Sequence, residues 1–209
     1  MLEFFPFPLL TGLCILVILL ILLFRKRSPA YLFCFGVFWM YLLLVVNMTI
    51  FPIPLPEAIG PRSPVQYILS HVNLIPFNFG DLFEAHRNII FQQIFGNILL
   101  TMPFGFGIPF LVRFKRKDFP WLAIGVGVAI ETVQLGFSLL VGGVYRSVDI
   151  NDVLLNAAGA LLGYSLFQVF AWFYVAISKR LKIKHSGLFA YVYEISLNAS
   201  APQEGVVSV

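Results

Sequence analysis

Five apolar stretches, each about as long as a bilayer is thick, constrain this chain more than any other feature. They fall at roughly 6–24, 30–51, 89–112, 120–142 and 153–178. A helix needs about 20 mostly apolar residues to cross a hydrocarbon core of ~30 Å. Composition agrees where it bears on the point: 59% of the residues are hydrophobic and 11% charged, against about 25% charged in soluble domains. Such a chain cannot cover a surface that faces water. The expected fold is therefore an all-α integral membrane bundle of about five transmembrane helices, with no room for a sizeable soluble domain.

The basic residues set the expected orientation. Arg25, Lys26 and Arg27, then Arg113, Lys115, Arg116 and Lys117, then Lys179, Arg180, Lys182 and Lys184 account for eleven of the 14 Lys and Arg. The three clusters follow alternate apolar stretches, where they meet lipid head groups, and only Arg62, Arg87 and Arg146 fall between the others. By the positive-inside rule this places the N-terminus outside and the C-terminus in the cytoplasm. It also explains the net charge of +4 without a nucleic-acid partner.

Glu3 precedes the first apolar run and the basic triplet follows it. That is the reverse of a signal peptide, so the run is expected to stay as an anchor. Residues 1–29 are read as that anchor and its basic turn, 30–178 as the transmembrane domain, and 179–209 as a cytoplasmic basic segment and tail. Within the tail, Leu188 to Ile195 is expected on the membrane surface. Ser28-Pro29 is a capping pair for the second helix, and Pro103 predicts a kink or a break between Pro103 and Gly107 in the third. Cys14 and Cys34, the only two cysteines, sit inside apolar runs and read as inert thiols. They are too few for a disulfide framework or a metal site, and no cofactor is expected.

Function is expected where the polarity is out of place. Glu131 lies near the centre of the fourth stretch, and Gln134 shares its helical face. A charged side chain there costs about 2.5–3.5 kcal/mol on insertion scales. Gln93, Asn97 and Thr101 line one face of the third stretch at intervals of four. Consecutive spans run antiparallel, so equal depth predicts the pairs Asn97–Glu131 and Gln93–Gln134 if the two stripes face each other. With a helix start near Ser147, the residues Asp149, Asp152, Asn156, Gly159 and Gly163 form one face of the fifth span. The two aspartates suit the positive end of the helix dipole, and the glycines permit close helix approach.

Several segments resemble the VanZ-like family in order and spacing. They are Asn73-Leu74-Ile75-Pro76-Phe77, then Gly96-Asn97 through Pro103-Phe104-Gly105, then Glu131-Thr132-Val133-Gln134, then Arg146-Ser147-Val148-Asp149-Ile150-Asn151-Asp152 with Asn156, Gly159 and Gly163-Tyr164. The resemblance covers about residues 30–178. It implies a multi-pass protein of the bacterial cell membrane, in a family whose founding member is associated with resistance to teicoplanin-type glycopeptides.

The residues and the resemblance together lead to one expected site. It is an outward cavity with Arg146, Asp149 and Asp152 at its rim and Glu131 and Asn97 at its floor, covered by a loop carrying Asn73, Pro76 and Phe77. Arg146 either binds a phosphate or carboxylate bidentately or pairs with Asp149. The expected role is to bind an envelope lipid or lipid-linked precursor. The alternative is an enzyme acting on a lipid head group, with Glu131, Asp149 and Asp152 as acid–base groups or metal ligands. The zinc-helix and nucleophile-elbow motifs are absent, and a transporter is disfavoured because no inverted repeat is evident.

Overall fold

The computed structural model of the chain describes residues 7–51, 63–78, 87–144 and 148–200. They form seven helices: α1 (Phe7–Phe24), α2 (Pro29–Ile50), α3 (Val65–Ser70), α4 (Arg87–Gly107), α5 (Phe119–Val141), α6 (Ile150–Arg180) and α7 (Gly187–Ser200). Among the described residues no strand forms. Four stretches, Pro29–Ile50, Phe91–Phe110, Arg116–Val141 and Ile150–Arg180, are long and apolar enough to cross a membrane, and Pro8–Phe24 is a shorter apolar helix. The outer faces suit lipid: Trp121 is 75% and Leu140 74% exposed.

Local signals set the helix ends. Ser28 caps α2 by accepting the Tyr31 N–H at 3.2 Å, with Pro29 in the first turn. α5 stops at Gly142, whose φ of 79° is the left-handed conformation that favours glycine. Pro103 neither breaks α4 nor ends it. The helix runs on to Gly107 and then tightens into a 3₁₀ turn at Ile108–Phe110. A proline ring crowds the preceding turn, and it is there that the Tyr41 hydroxyl of α2 donates to the Leu100 carbonyl at 2.7 Å.

The centre of the bundle is α6, which packs most extensively on α4 and also on α5 and α7, while α1 rests on α2. α4 and α6 meet backbone to backbone. A Cβ at Gly105 would strike the Ala160 carbonyl, and one at Gly163 the Met102 carbonyl. On the other flank Gly127 of α5 lies against the Val153 backbone. Toward the basic end the seam fills with a compact core of Phe119, Ala123, Ala157 and Ala160, bordered by Phe104, Phe114 and Tyr164. The Phe119 and Tyr164 rings stack at 4.1 Å.

The expected apolar patch of the tail lies within α7, which packs on α6 and reaches α2 and the 3₁₀ turn after α4. The Tyr191 hydroxyl donates to the Phe110 carbonyl, and Arg113 pairs with Glu194 at 3.2 Å. The patch is only partly covered by this contact: Phe189 stays 65% exposed.

Candidate functional site

Two helix alignments define the polar end. Asn97 meets Asp152 and Thr101 meets Asn156, each pair 55 residues apart, and Gly105 meets Ala160 at the same offset. A constant offset means that α4 and α6 run parallel. Glu131 meets Asp149, Gly127 meets Val153 and Phe119 meets Tyr164, so α5 runs antiparallel to α6.

These alignments fix a depth. Glu131 is ten residues before the last residue of α5, Val141, which is about 15 Å along a helix axis. Since the backbone N–H of Asp149 donates to Glu131 Oε2 at 3.1 Å, α6 begins about 15 Å short of the end of its neighbour. The chain entering α6 at Val148 and Asp149 therefore lies beside α5, well below Gly142. A second segment descends beside it: Ser63 N–H bonds the Gly142 carbonyl at 2.9 Å, and the chain continues through α3 to Asn73. The two segments join as an isolated parallel bridge between Asn73 and Asp149, with Asn73 N–H on Val148 O and Ile150 N–H on Asn73 O, both at 2.9 Å.

Asp149 is the hub. Its side chain caps α6 by accepting the Asn151 N–H at 2.8 Å and also accepts the Asn73 amide at 3.0 Å. The helix thus starts at Ile150 rather than near Ser147, because Asp149 caps it in an extended conformation. The loop 73–78 is tied down from both sides. Asn73 Oδ1 accepts the Ile75 N–H at 3.1 Å, Asn151 Oδ1 accepts the Phe77 N–H at 2.6 Å, and the Asn151 amide donates to the Asn78 carbonyl at 3.0 Å. Phe77 is held at φ 63°, a conformation that costs a non-glycine residue about 1–2 kcal/mol. Its side chain is 78% exposed, and Leu74, Ile75 and Pro76 are exposed beside it.

One turn further in, Asp152 accepts the Asn97 amide at 2.6 Å and the Gln93 amide at 3.1 Å. Below it the Thr101 hydroxyl bonds the Asn156 carbonyl at 2.7 Å. Asp152 and Gly159 turn toward α4, Val153 and Ala157 toward α5. Asn156 lies between those two faces, in the seam of the three helices. It is 0% exposed, and neither polar atom of its amide finds a partner among the described residues. Buried amides are nearly always hydrogen-bonded, which makes this one the anomaly of the cluster.

The candidates therefore converge, but not in the expected pairs. Asn97 and Gln93 bond Asp152 rather than Glu131 and Gln134, and Gln134 instead donates to the Thr49 carbonyl of α2 at 3.2 Å. The expectation assumed that consecutive spans face each other, whereas α4 and α5 each face α6. Asp152, expected at the rim, stands level with Asn97, because α6 starts deep. Glu131 is 5% exposed, and Asp149 and Asp152 are close enough for their charges to act on it. Among the described residues no group of three or more His, Cys, Asp and Glu is arranged to hold a metal ion. Arg146 lies outside the described residues. Asn151, noted in the sequence only as part of the segment that carries the resemblance, was not counted among the site residues because it falls off the polar stripe, although an amide in the first turn of a helix was a usable signal.

The family model described as VanZ/LLP1 matches residues 38–172, a span that takes in every residue of this cluster. No curated protein and no solved structure matches the chain.

Proposed function

The chain is a membrane protein of the VanZ/LLP1 family, and from that premise we propose that it lowers susceptibility to teicoplanin-type glycopeptides by holding an envelope lipid or lipid-linked precursor at the polar end of α4, α5 and α6. In this reading it is a multi-pass protein of the bacterial cell membrane, with the N-terminus outside and the C-terminus in the cytoplasm. Residues 30–178 are the working unit, 1–29 an anchor and 179–209 a cytoplasmic segment. The polar end then faces outward, where glycopeptides meet their targets.

The observation that carries this reading is the meeting of the chain after α3 with the residue before α6, Asn73 on Asp149, about 15 Å below the end of α5. Irregular backbone at such a depth is tolerated only where protein surrounds it or a watery cavity adjoins it. The unpaired Asn156 amide beneath Asp152 supplies both a donor and an acceptor for a polar ligand group. The exposed Leu74, Ile75 and Phe77 give the same mouth an apolar lip suited to a lipid. The enzyme alternative draws less support, since Asp149 and Asp152 already accept amide and backbone hydrogen bonds.

The test is glycopeptide susceptibility in a bacterial host expressing the wild-type chain, Glu131→Ala or Arg146→Ala at equal membrane abundance. Protection by the wild type and its loss in both variants is the expected result. Protection that survives both substitutions would reduce the cluster to a structural lock, and no protection by the wild type would overturn the tolerance role.

A further inference from the structure

The opposite end of the bundle carries a second site that the proposed function does not use. A crevice of about 210 Å³ opens between the linker after α4, the middle of α6 and the second half of α7. Its polar wall consists of Arg113, Arg116, Gln168 and Asn198, and Tyr164 stands at its base. The guanidinium of Arg113 is partly engaged by Glu194. Arg116 has neither a carboxylate nor a hydrogen-bond acceptor among the described residues, although its charge reaches the Tyr164 hydroxyl.

We infer that this crevice binds the phosphate of an anionic phospholipid head group. Four observations lead there. Its lining offers two guanidiniums, that of Arg113 shared with Glu194, and two amides, that of Gln168 shared with Tyr164, a donor set that suits a phosphate. It lies where the linker between α4 and α5 turns, on the side of the bundle where Ser28 at the start of α2 and Glu194 of α7 line one hollow. That is where head groups sit on any chain whose α2, α4 and α5 cross a bilayer. Exposed Trp172 borders Arg116 and Gln168, and exposed Trp121 stands in the first turn of α5, as indoles do at membrane interfaces. Finally, the crevice exists only because α7 folds back on α6, so Asn198 and Ala199 wall it opposite Tyr164 and Gln168. A phosphate there would bridge α7 to the spans and join two parts that, among the described residues, only Arg113–Glu194 links by an ion pair.

The test uses the full chain purified in detergent and measures binding of dioctanoyl phosphatidylglycerol by native mass spectrometry. Dioctanoyl phosphatidylcholine and inorganic phosphate serve as competitors. The expected result is one tightly held phosphatidylglycerol, weakened roughly tenfold by Arg116→Gln and likewise by Asn198→Leu. The double substitution Lys182→Gln/Lys184→Gln should leave it unchanged. Both single changes are at exposed positions, so an unaltered unfolding temperature will show that the crevice itself was tested. Equal loss in the Lys182/Lys184 variant would mean diffuse charge attraction and overturn the site, as would unchanged binding in Arg116→Gln. Competition by phosphatidylcholine as strong as by the anionic lipid would also overturn it. Displacement by inorganic phosphate at the same concentration as the lipid would overturn the lipid assignment.

Discussion

Asn97 donates its amide to Asp152 across 2.6 Å, and this bond sets the register between α4 and α6. The same offset of 55 residues recurs one turn on, where Thr101 meets the Asn156 carbonyl. A slip of one turn would move Gly105 and Gly163 off the backbones they touch.

Substituting Asn97 should therefore cost more than an average membrane hydrogen bond. Such bonds average about 0.6 kcal/mol, but a charged acceptor raises the figure. Asn97→Leu is expected to lose about 1–2 kcal/mol, and Asn97→Asp more, because it sets a second carboxylate against Asp152. Unfolding in detergent micelles measures both, and a more stable Asn97→Asp would refute this account of the register.

Glycines divide into two groups. Gly163→Leu forces a side chain into the Met102 carbonyl and should destabilise by about 1–3 kcal/mol. Gly125, with nothing within 4 Å of a built Cβ, should gain up to about 1 kcal/mol on change to Ala. The comparison is one of sign, read from unfolding midpoints of the two variants.

Phe77 holds a left-handed backbone with an exposed ring. Phe77→Gly removes the strain and should keep or raise stability by about 1 kcal/mol. If the ring serves the mouth of the site, the same variant should lose glycopeptide protection. Stability and phenotype thus move in opposite directions, an outcome that a purely structural Phe77 does not produce.

Glu131→Gln keeps an oxygen for the Asp149 N–H, whereas Glu131→Leu leaves that buried donor unmet at a cost of about 1–3 kcal/mol. The Gln variant should unfold near the wild-type temperature and the Leu variant well below it. Equal stability in both would remove the Asp149–Glu131 bond from the account.

At the other end, burial raises the Tyr191 hydroxyl to about 12, with Cys34, Tyr31 and Glu194 adding to the effect and Arg27 opposing it. The folded state therefore favours the neutral phenol more than the unfolded state does. Its contribution is fully present below the ordinary tyrosine value of about 10 and is lost as pH rises toward 12. The docking of α7 should hold at neutral pH and loosen across that window. Unfolding temperature against pH, compared between wild type and Tyr191→Phe, should show a difference that shrinks above pH of about 10.

The spans were legible because length and hydropathy alone determine which segments can cross a bilayer. The proline in α4 was not, because whether it breaks a helix depends on a neighbour such as Tyr41 meeting the loosened turn. Within the site, Glu131, Asn97, Asp149 and Asp152 stood out as polar residues in apolar surroundings. Their partners did not, since the sequence is silent on which helix stands between two others. Once α6 is placed between α4 and α5, Asn97 turns to Asp152 and Gln134 is left for Thr49. The depth of Asp149 was equally hidden, because a short polar loop reads alike whether it caps a helix end or dips beside it.

The deep start of α6 also orders the making of the molecule. Among the described residues, every side-chain amide that bonds Asp149 or Asp152, on Asn73, Gln93 and Asn97, lies earlier in the chain. These donors are synthesised before the acidic start of α6 emerges. The amide partners of Asp149 and Asp152 are thus already synthesised when the two carboxylates leave the ribosome.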